Sequence, residues 1–269
     1  MDASATVPPL LGPDEPPPWR AVNPDGRAPV LLLCDHASNR VPAALGDLGL
    51  PAARLDEHIA WDIGAAAVTE RLAERLNAPA LLTAYSRLVI DCNRHPGGAG
   101  SIPEASDGVA VPANRALSPE AAKARATSLF RPYHEAVASR LDRFADTGIV
   151  PALLSIHSFT PTMNGRARPW HVGVLWDRDP RLARPLLDAL AADPSIVVGD
   201  NEPYSARDPH GYSMAAHGGA RGLPHVLIEL RQDLIAAAGR AGDWADRLAR
   251  VLPPILSDPA LRSIRYYPD

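Results

Sequence analysis

The sequence predicts a three-layer α/β/α sandwich built around a mostly parallel or mixed sheet, and three observations carry that prediction. Apolar runs of strand length alternate with segments of helical period along most of the chain. The strand-like runs are continuously apolar, as in strands covered on both faces. The 269 residues suit one large core and carry no internal repeat.

Residues 1–27 form a proline-rich arm, with Pro8, Pro9, Pro13, Pro16, Pro17 and Pro18 and few large apolar side chains, and read as irregular structure ahead of a single domain at 28–269. Residues 28–34 are an apolar run that stops at Asp35 and His36, a buried strand with polar groups at its end. From Asp56 to Asn77 the positions Ile59, Ile63, Ala66, Ala67, Leu72 and Leu76 recur at helical spacing, and Pro79 closes the pattern. Two short strands are expected at 80–84 and 88–92, followed at 94–112 by a Gly-, Pro- and Ser-rich loop on the substrate side. Ser118 and Pro119 start a helix running to about Phe144. Strands are expected at 152–156, ending at His157, and at 172–176. A helix at 180–192, strands at 196–198 and 225–230, and a closing helix at 244–256 complete the chain.

Composition excludes several functions. The formal charge of -4 is spread without acidic or basic blocks, so there is no electrostatic footprint for nucleic acid or a membrane surface, and a small-molecule partner is expected. Lys123 is the only lysine and sits on an exposed helix, which removes lysine-based phosphate cradles and Schiff-base chemistry. Cys34 and Cys92 lie in apolar runs and read as buried hydrophobes, not as a disulfide framework. With no membrane-length apolar stretch and no signal-peptide pattern at the N-terminus, cytoplasmic residence is expected.

Polar groups cluster at the predicted strand ends: Asp35 with His36, Arg87 with Asn93 and Arg94, His157, and Glu229 with Arg231. Ligands of open α/β sheets bind beyond the carboxyl ends of the strands, so these groups can converge there. His36 and His157 each terminate an apolar run, where an imidazole reaches a metal; taken singly, either reads equally well as a structural histidine. A catalytic zinc takes three protein ligands and leaves a position for water. Asp62 is the candidate third ligand, with Glu57, His58 and Asn39 competing for the role, and its other reading is an acid favoured by a helix N-terminus. Glu229 is a carboxylate in an apolar strand, either ion-paired with Arg231 or Arg87, or a general base raised by burial. Arg87 and Arg94 present forked donors suited to a carboxylate or an oxyanion. His210, His217 and His225 crowd a glycine-rich stretch before the Glu229 strand, and His217 is the candidate for substrate contact.

Five ordered blocks carry a family resemblance: Asp35 to Pro42, His58 to Gly64, Tyr85 to Arg94, Ser155 to Phe159 and Leu223 to Arg231. Together they resemble the N-formylglutamate amidohydrolase family over about residues 30–256, as a divergent member. That family is related in fold to zinc carboxypeptidases, so the resemblance implies a phosphorylase/hydrolase-like sandwich with a mixed sheet, zinc as cofactor, and hydrolysis of the amide of an N-formyl or N-acyl amino acid. It implies His36 and His157 as metal ligands, Asp62 as the carboxylate ligand, Glu229 as the group that activates water, Arg87 for the oxyanion, and Asn93 with Arg94 for the substrate carboxylate. Ser38 and Arg40, in the first block, join the substrate-binding candidates. One departure stands out: carboxypeptidases use His-x-x-Glu, whereas Asn39 stands three residues after His36 here. Rival readings are a carboxypeptidase or a deacylase of larger acyl groups, and a binding protein without turnover.

Overall fold

The computed structural model describes residues 10–207, 211–237 and 239–268. Its strands are β1 (Trp19–Val22), β2 (Val30–Cys34), β3 (Ala80–Thr83), β4 (Ala105–Ser106), β5 (Val109–Ala110), β6 (Ala152–Phe159), β7 (Thr162–Met163), β8 (Arg166–Ala167), β9 (Val172–Leu175), β10 (Val198–Asp200) and β11 (His225–Arg231). Its helices are α1 (Ala52–Leu55), α2 (Ala65–Leu76), α3 (Pro119–Arg125), α4 (Arg131–Asp146), α5 (Pro180–Ala191) and α6 (Arg240–Leu256). Seven strands form one sheet in the order β1-β3-β2-β6-β11-β9-β10. The four central strands β3, β2, β6 and β11 run parallel, while β1 against β3 and β9 against β11 are antiparallel, so the sheet is mixed.

Alternate residues of each strand feed two cores. Val30, Leu32 and Cys34 face the side covered by α2, α5 and α6, and Leu31 and Leu33 face the side covered by α4. All five residues of β2 are buried, which explains why the run reads as continuously apolar. Each such Leu or Val contributes about 1.5–3 kcal/mol through burial.

Three readings of the sequence are corrected. Residues 19–22 are not irregular: they form the edge strand β1, with Trp19 opposite Thr83, an edge where the preceding prolines do not interrupt a ladder. Residues 88–92 are not a strand; Leu88, Val89, Ile90 and Cys92 are buried, but the chain turns where the Val89 N–H donates to the Ser86 carbonyl at 3.0 Å. Burial alone made that run apolar. Only the second part of the predicted helix at 56–77 is helical, as α2; residues 56–64 form turns, and Gly64 sits at φ 85°, a left-handed conformation through which no helix runs. Ile59 and Ala60 pack into one core while Ala65, Val68 and Leu72 pack into the other, so the segment crosses from one face of the sheet to the other. That crossing passes over the strand ends and carries Asp62 there, where its N–H donates to the His36 carbonyl at 3.0 Å. Smaller differences are that β6 continues to Phe159, which puts His157 inside the strand, and that α6 starts at Arg240.

Candidate metal centre

His36 leaves the end of β2, His157 projects from β6, and Glu229 sits on β11 directly opposite His157 in the parallel register. The sheet thereby sets the two imidazoles together, with ring centroids 4.8 Å apart. Asp62 Oδ2 lies between them, 3.3 Å from His36 Nδ1 and 2.8 Å from His157 Nδ1. Ligand atoms from these three buried residues all lie within 4.8 Å of one another.

The far side of each ring is held by a second carboxylate. His36 Nε2 lies 2.7 Å from Asp91 Oδ1, and His157 Nε2 lies 3.0 Å from Asp35 Oδ2. An ionised carboxylate only accepts, so each Nε2 carries the hydrogen; each Nδ1 faces Asp62 and donates to it while the imidazole is protonated, and loss of that proton would free a lone pair for a metal, with the Nε2–H held as in carboxylate–histidine–metal arrangements. Asp35 is itself fully bound: Oδ1 accepts from the Tyr133 hydroxyl at 2.8 Å and the Ser213 hydroxyl at 2.7 Å, and Oδ2 accepts from the Ser155 hydroxyl at 2.8 Å.

Charge explains the rest. Burial alone would raise the Asp35 carboxyl and lower the His157 imidazole, but the pairing of the two outweighs it, holding Asp35 far below the usual carboxylate range and His157 well above the usual imidazole value. Asp62 and Asp91 are likewise held down against the pull of burial, Asp62 first by His36 and Asp91 first by Arg87. Three aspartates against the guanidinium of Arg87, which reaches Asp91 at 2.7 Å and Asp62 at 3.4 Å, leave two negative charges around the pair of imidazoles. The spot calls for positive charge, supplied by protons on the imidazoles or by one divalent cation, and the donor set of two imidazoles and a carboxylate suits zinc.

Glu229 differs from the three aspartates. Its expected partners are taken, since Arg231 pairs with Asp233 at 2.8 Å and Arg87 with Asp91, and Glu229 Oε2 is buried with no hydrogen-bond partner. Burial pushes its carboxyl up to about 7, against the opposing pull of His157. An orphaned carboxylate beside a cation-seeking cluster is the feature that separates this site from a structural ion-pair network.

His36, Asp62, His157 and Glu229 line one cavity of about 700 Å³. Arg87, Asn93 and Arg94 line it too, as do Ser106 and Asp107 of the predicted substrate-side loop. Asn93 also braces the site, its Oδ1 accepting from the Tyr212 and Ser213 N–H groups at 2.9 and 3.0 Å, which sets Ser213 against Asp35. Among the competitors of Asp62, Glu57 pairs with Arg54, Asn39 donates to the Leu55 carbonyl at 2.9 Å, and His58 lines the cavity but pairs with Asp107 at 3.1 Å.

Three candidates for substrate contact lie elsewhere. Ser38 accepts from the Arg40 N–H at 3.1 Å, and neither residue is among those that line the cavity. His217 is buried behind the wall, 2.9 Å from His134 Nδ1, with the two rings stacked 5.1 Å apart. His225 lines the far end of the cavity, and His210 lies outside the described residues. The sequence offered Asp91 only as a partner for one of the nearby arginines, and Asp35 only as an acid at a strand end; Asp91 meets His36 as well as Arg87, and the contacts of Asp35 come from residues 155, 157 and 213, far along the chain.

Burial, and then His134, pulls the His217 imidazole down to about 4. Unfolded histidine binds its proton near 6.5, so the unfolded chain takes up more protons between these values. The contribution is fully present above pH 6.5 and is lost as pH falls toward 4, up to about 3 kcal/mol. Urea unfolding at pH 7.5 and 4.5 should show a smaller acid loss in His217→Gln than in wild type; equal losses would place the acid sensitivity elsewhere.

Fold and site together define a class: an α/β/α sandwich with a candidate metal centre near the carboxyl ends of its central strands. The family is shown by sequence, since the N-formylglutamate amidohydrolase family matches residues 28–236, and the chain belongs to it. This places it among hydrolases that act on amides. A solved structure of gene product Atu2144 from Agrobacterium tumefaciens is 35% identical, covers 92% of this chain and 98% of its own, and superposes with a TM-score of 0.89. N-formylglutamate amidohydrolase from Ralstonia eutropha JMP134 is 19% identical over 91% of this chain and 98% of its own, with a TM-score of 0.65, a likeness of fold. No curated protein matches the chain significantly. Among the described residues no helix is long and apolar enough to cross a membrane.

Proposed function

We propose that the protein is a zinc-dependent amidohydrolase that cleaves the amide bond of an N-formyl or N-acyl amino acid such as N-formylglutamate, releasing the acyl carboxylate and the free amino acid, in the cytoplasm. The observation that carries this reading is the unpaired, buried Glu229 carboxylate on the strand beside the His36–Asp62–His157 cluster. His36 Nδ1, His157 Nδ1 and Asp62 would hold the zinc. The chemistry a zinc ion supplies there is Lewis-acid polarisation of the scissile carbonyl and acidification of water.

The protein groups divide the remaining work. Glu229 accepts a proton from the attacking water, whose oxygen bonds to the acyl carbon, and returns that proton to the amide nitrogen as the C–N bond breaks. Arg87 stays charged between Asp91 and Asp62 and turns toward the cavity, which supports a role in stabilising the tetrahedral oxyanion. Arg94, with Asn93 beside it, clamps the substrate carboxylate and orients the amide. Ser38, Arg40 and His217 have no part in this reading.

Purified protein should contain zinc, release formate from N-formylglutamate, lose that activity on chelation and regain it when zinc is restored. Stoichiometric ligand binding with neither zinc nor turnover would favour a binding protein instead.

A further inference from the structure

The cavity extends well beyond the reacting centre. Glu229, Leu227 and His225 alternate onto one face of β11 and all line it. From Glu229 to His225 is a run of about 13 Å at roughly 3.3 Å per strand residue. Between those ends Leu175, Met214 and Leu227 present apolar wall.

Arg265 and Tyr267, which lie beyond the matched residues 28–236, line the far end. This wall is firmly built. The Arg265 N–H donates to the Gly222 carbonyl at 2.9 Å, Arg181 donates to the Ser263 carbonyl at 2.6 Å, and the Arg181 guanidinium lies 5.9 Å from the Tyr267 ring centre. Cavities of about 300–1,000 Å³ enclose drug-sized ligands, and at about 700 Å³ this one far exceeds what a formylated amino acid fills.

We propose that the acyl half of the substrate is an extended chain with an apolar body, lying along β11 from Glu229 toward His225 and Tyr267, so that long-chain N-acyl amino acids are preferred to N-formyl ones. This rests on the amide-hydrolysis reading above, with the same bonds made and broken: water gives its oxygen to the acyl carbon and a proton to the nitrogen, releasing a long-chain carboxylate. With Asn93 and Arg94 holding the amino-acid half, the apolar stretch is left to the acyl group. Each methylene moved from water onto that wall raises kcat/KM by up to about fourfold.

The test compares N-formyl-, N-acetyl-, N-butanoyl- and N-octanoylglutamate with zinc-loaded full-length protein, wild type and Gly219→Phe. Gly219 lines the far half of the cavity at φ -59°, and a Cβ there would meet only ordinary contacts, the nearest being His225 Cε1 at 3.9 Å, so the new ring can enter the cavity without backbone strain. In wild type kcat/KM should climb with chain length, the octanoyl compound exceeding the formyl one by at least about 100-fold. Gly219→Phe should cut that ratio by tenfold or more. A wild-type ratio near or below one, or a ratio unmoved by a folded Gly219→Phe, overturns the extended acyl site while amide hydrolysis stands. Should the variant fail to fold, the wild-type series decides alone. Turnover of none of the four compounds overturns the hydrolase reading and this proposal together.

Discussion

Glu229→Gln is expected to lower kcat by about 10²–10⁴-fold while zinc content stays at the wild-type level. Glutamine keeps the shape of the side chain but cannot take a proton from water, and Glu229 is not one of the three residues assigned to the metal. The same substitution should leave the fold as stable or make it more stable above neutral pH. A carboxyl pushed up to about 7 in the folded chain ionises more readily when unfolded, so its burial favours the unfolded state as pH rises above the ordinary glutamate range. Loss of turnover with retained zinc and undiminished stability is a combination that a structural role would not produce. The measurements are steady-state kinetics, metal analysis and thermal unfolding, and a kcat within a few-fold of wild type would remove Glu229 from the mechanism.

Asp35→Ala is expected to be the costliest single change to the fold, at about 3–5 kcal/mol, and to weaken zinc binding about 10–100-fold. Its two oxygens accept from Tyr133, Ser213, Ser155 and His157, all buried. Alanine would strand three hydroxyls and remove the acceptor that holds the His157 ring through its Nε2–H. Urea unfolding and a zinc competition titration read the two effects separately. A loss below about 1 kcal/mol would mean that water or a side-chain shift replaces the carboxylate. Asp35→Asn should fall between, since it keeps one acceptor oxygen.

His36, His157 and Glu229 stand out in the sequence because a charged or imidazole side chain within or at the end of an apolar run demands a reason for its burial. Ser38, Arg40 and His217, also candidates, are not among the residues that line the cavity. Each stands near a motif or in a glycine-rich stretch, but side-chain direction is set by turns whose geometry nearby residues do not reveal. The segment at 56–64 shows the limit most clearly: its apolar spacing continues that of α2, yet it packs on the opposite core. Periodicity records that positions are buried, and it cannot say on which side of a sheet.

By itself the sequence determined the layered α/β architecture, the family and the residues able to bind a metal, because apolar periodicity, ordered motifs and side-chain chemistry are properties of the chain. Only the tertiary structure decided that Asp62 crosses over the strand ends to join His36 and His157, that Asp35 and Asp91 hold those rings, that Glu229 stays unpaired, and how far the cavity runs toward the C-terminal residues. Those outcomes depend on contacts between segments far apart in the chain, such as residues 35 and 213, and such contacts exist only once the sheet has set its strands side by side.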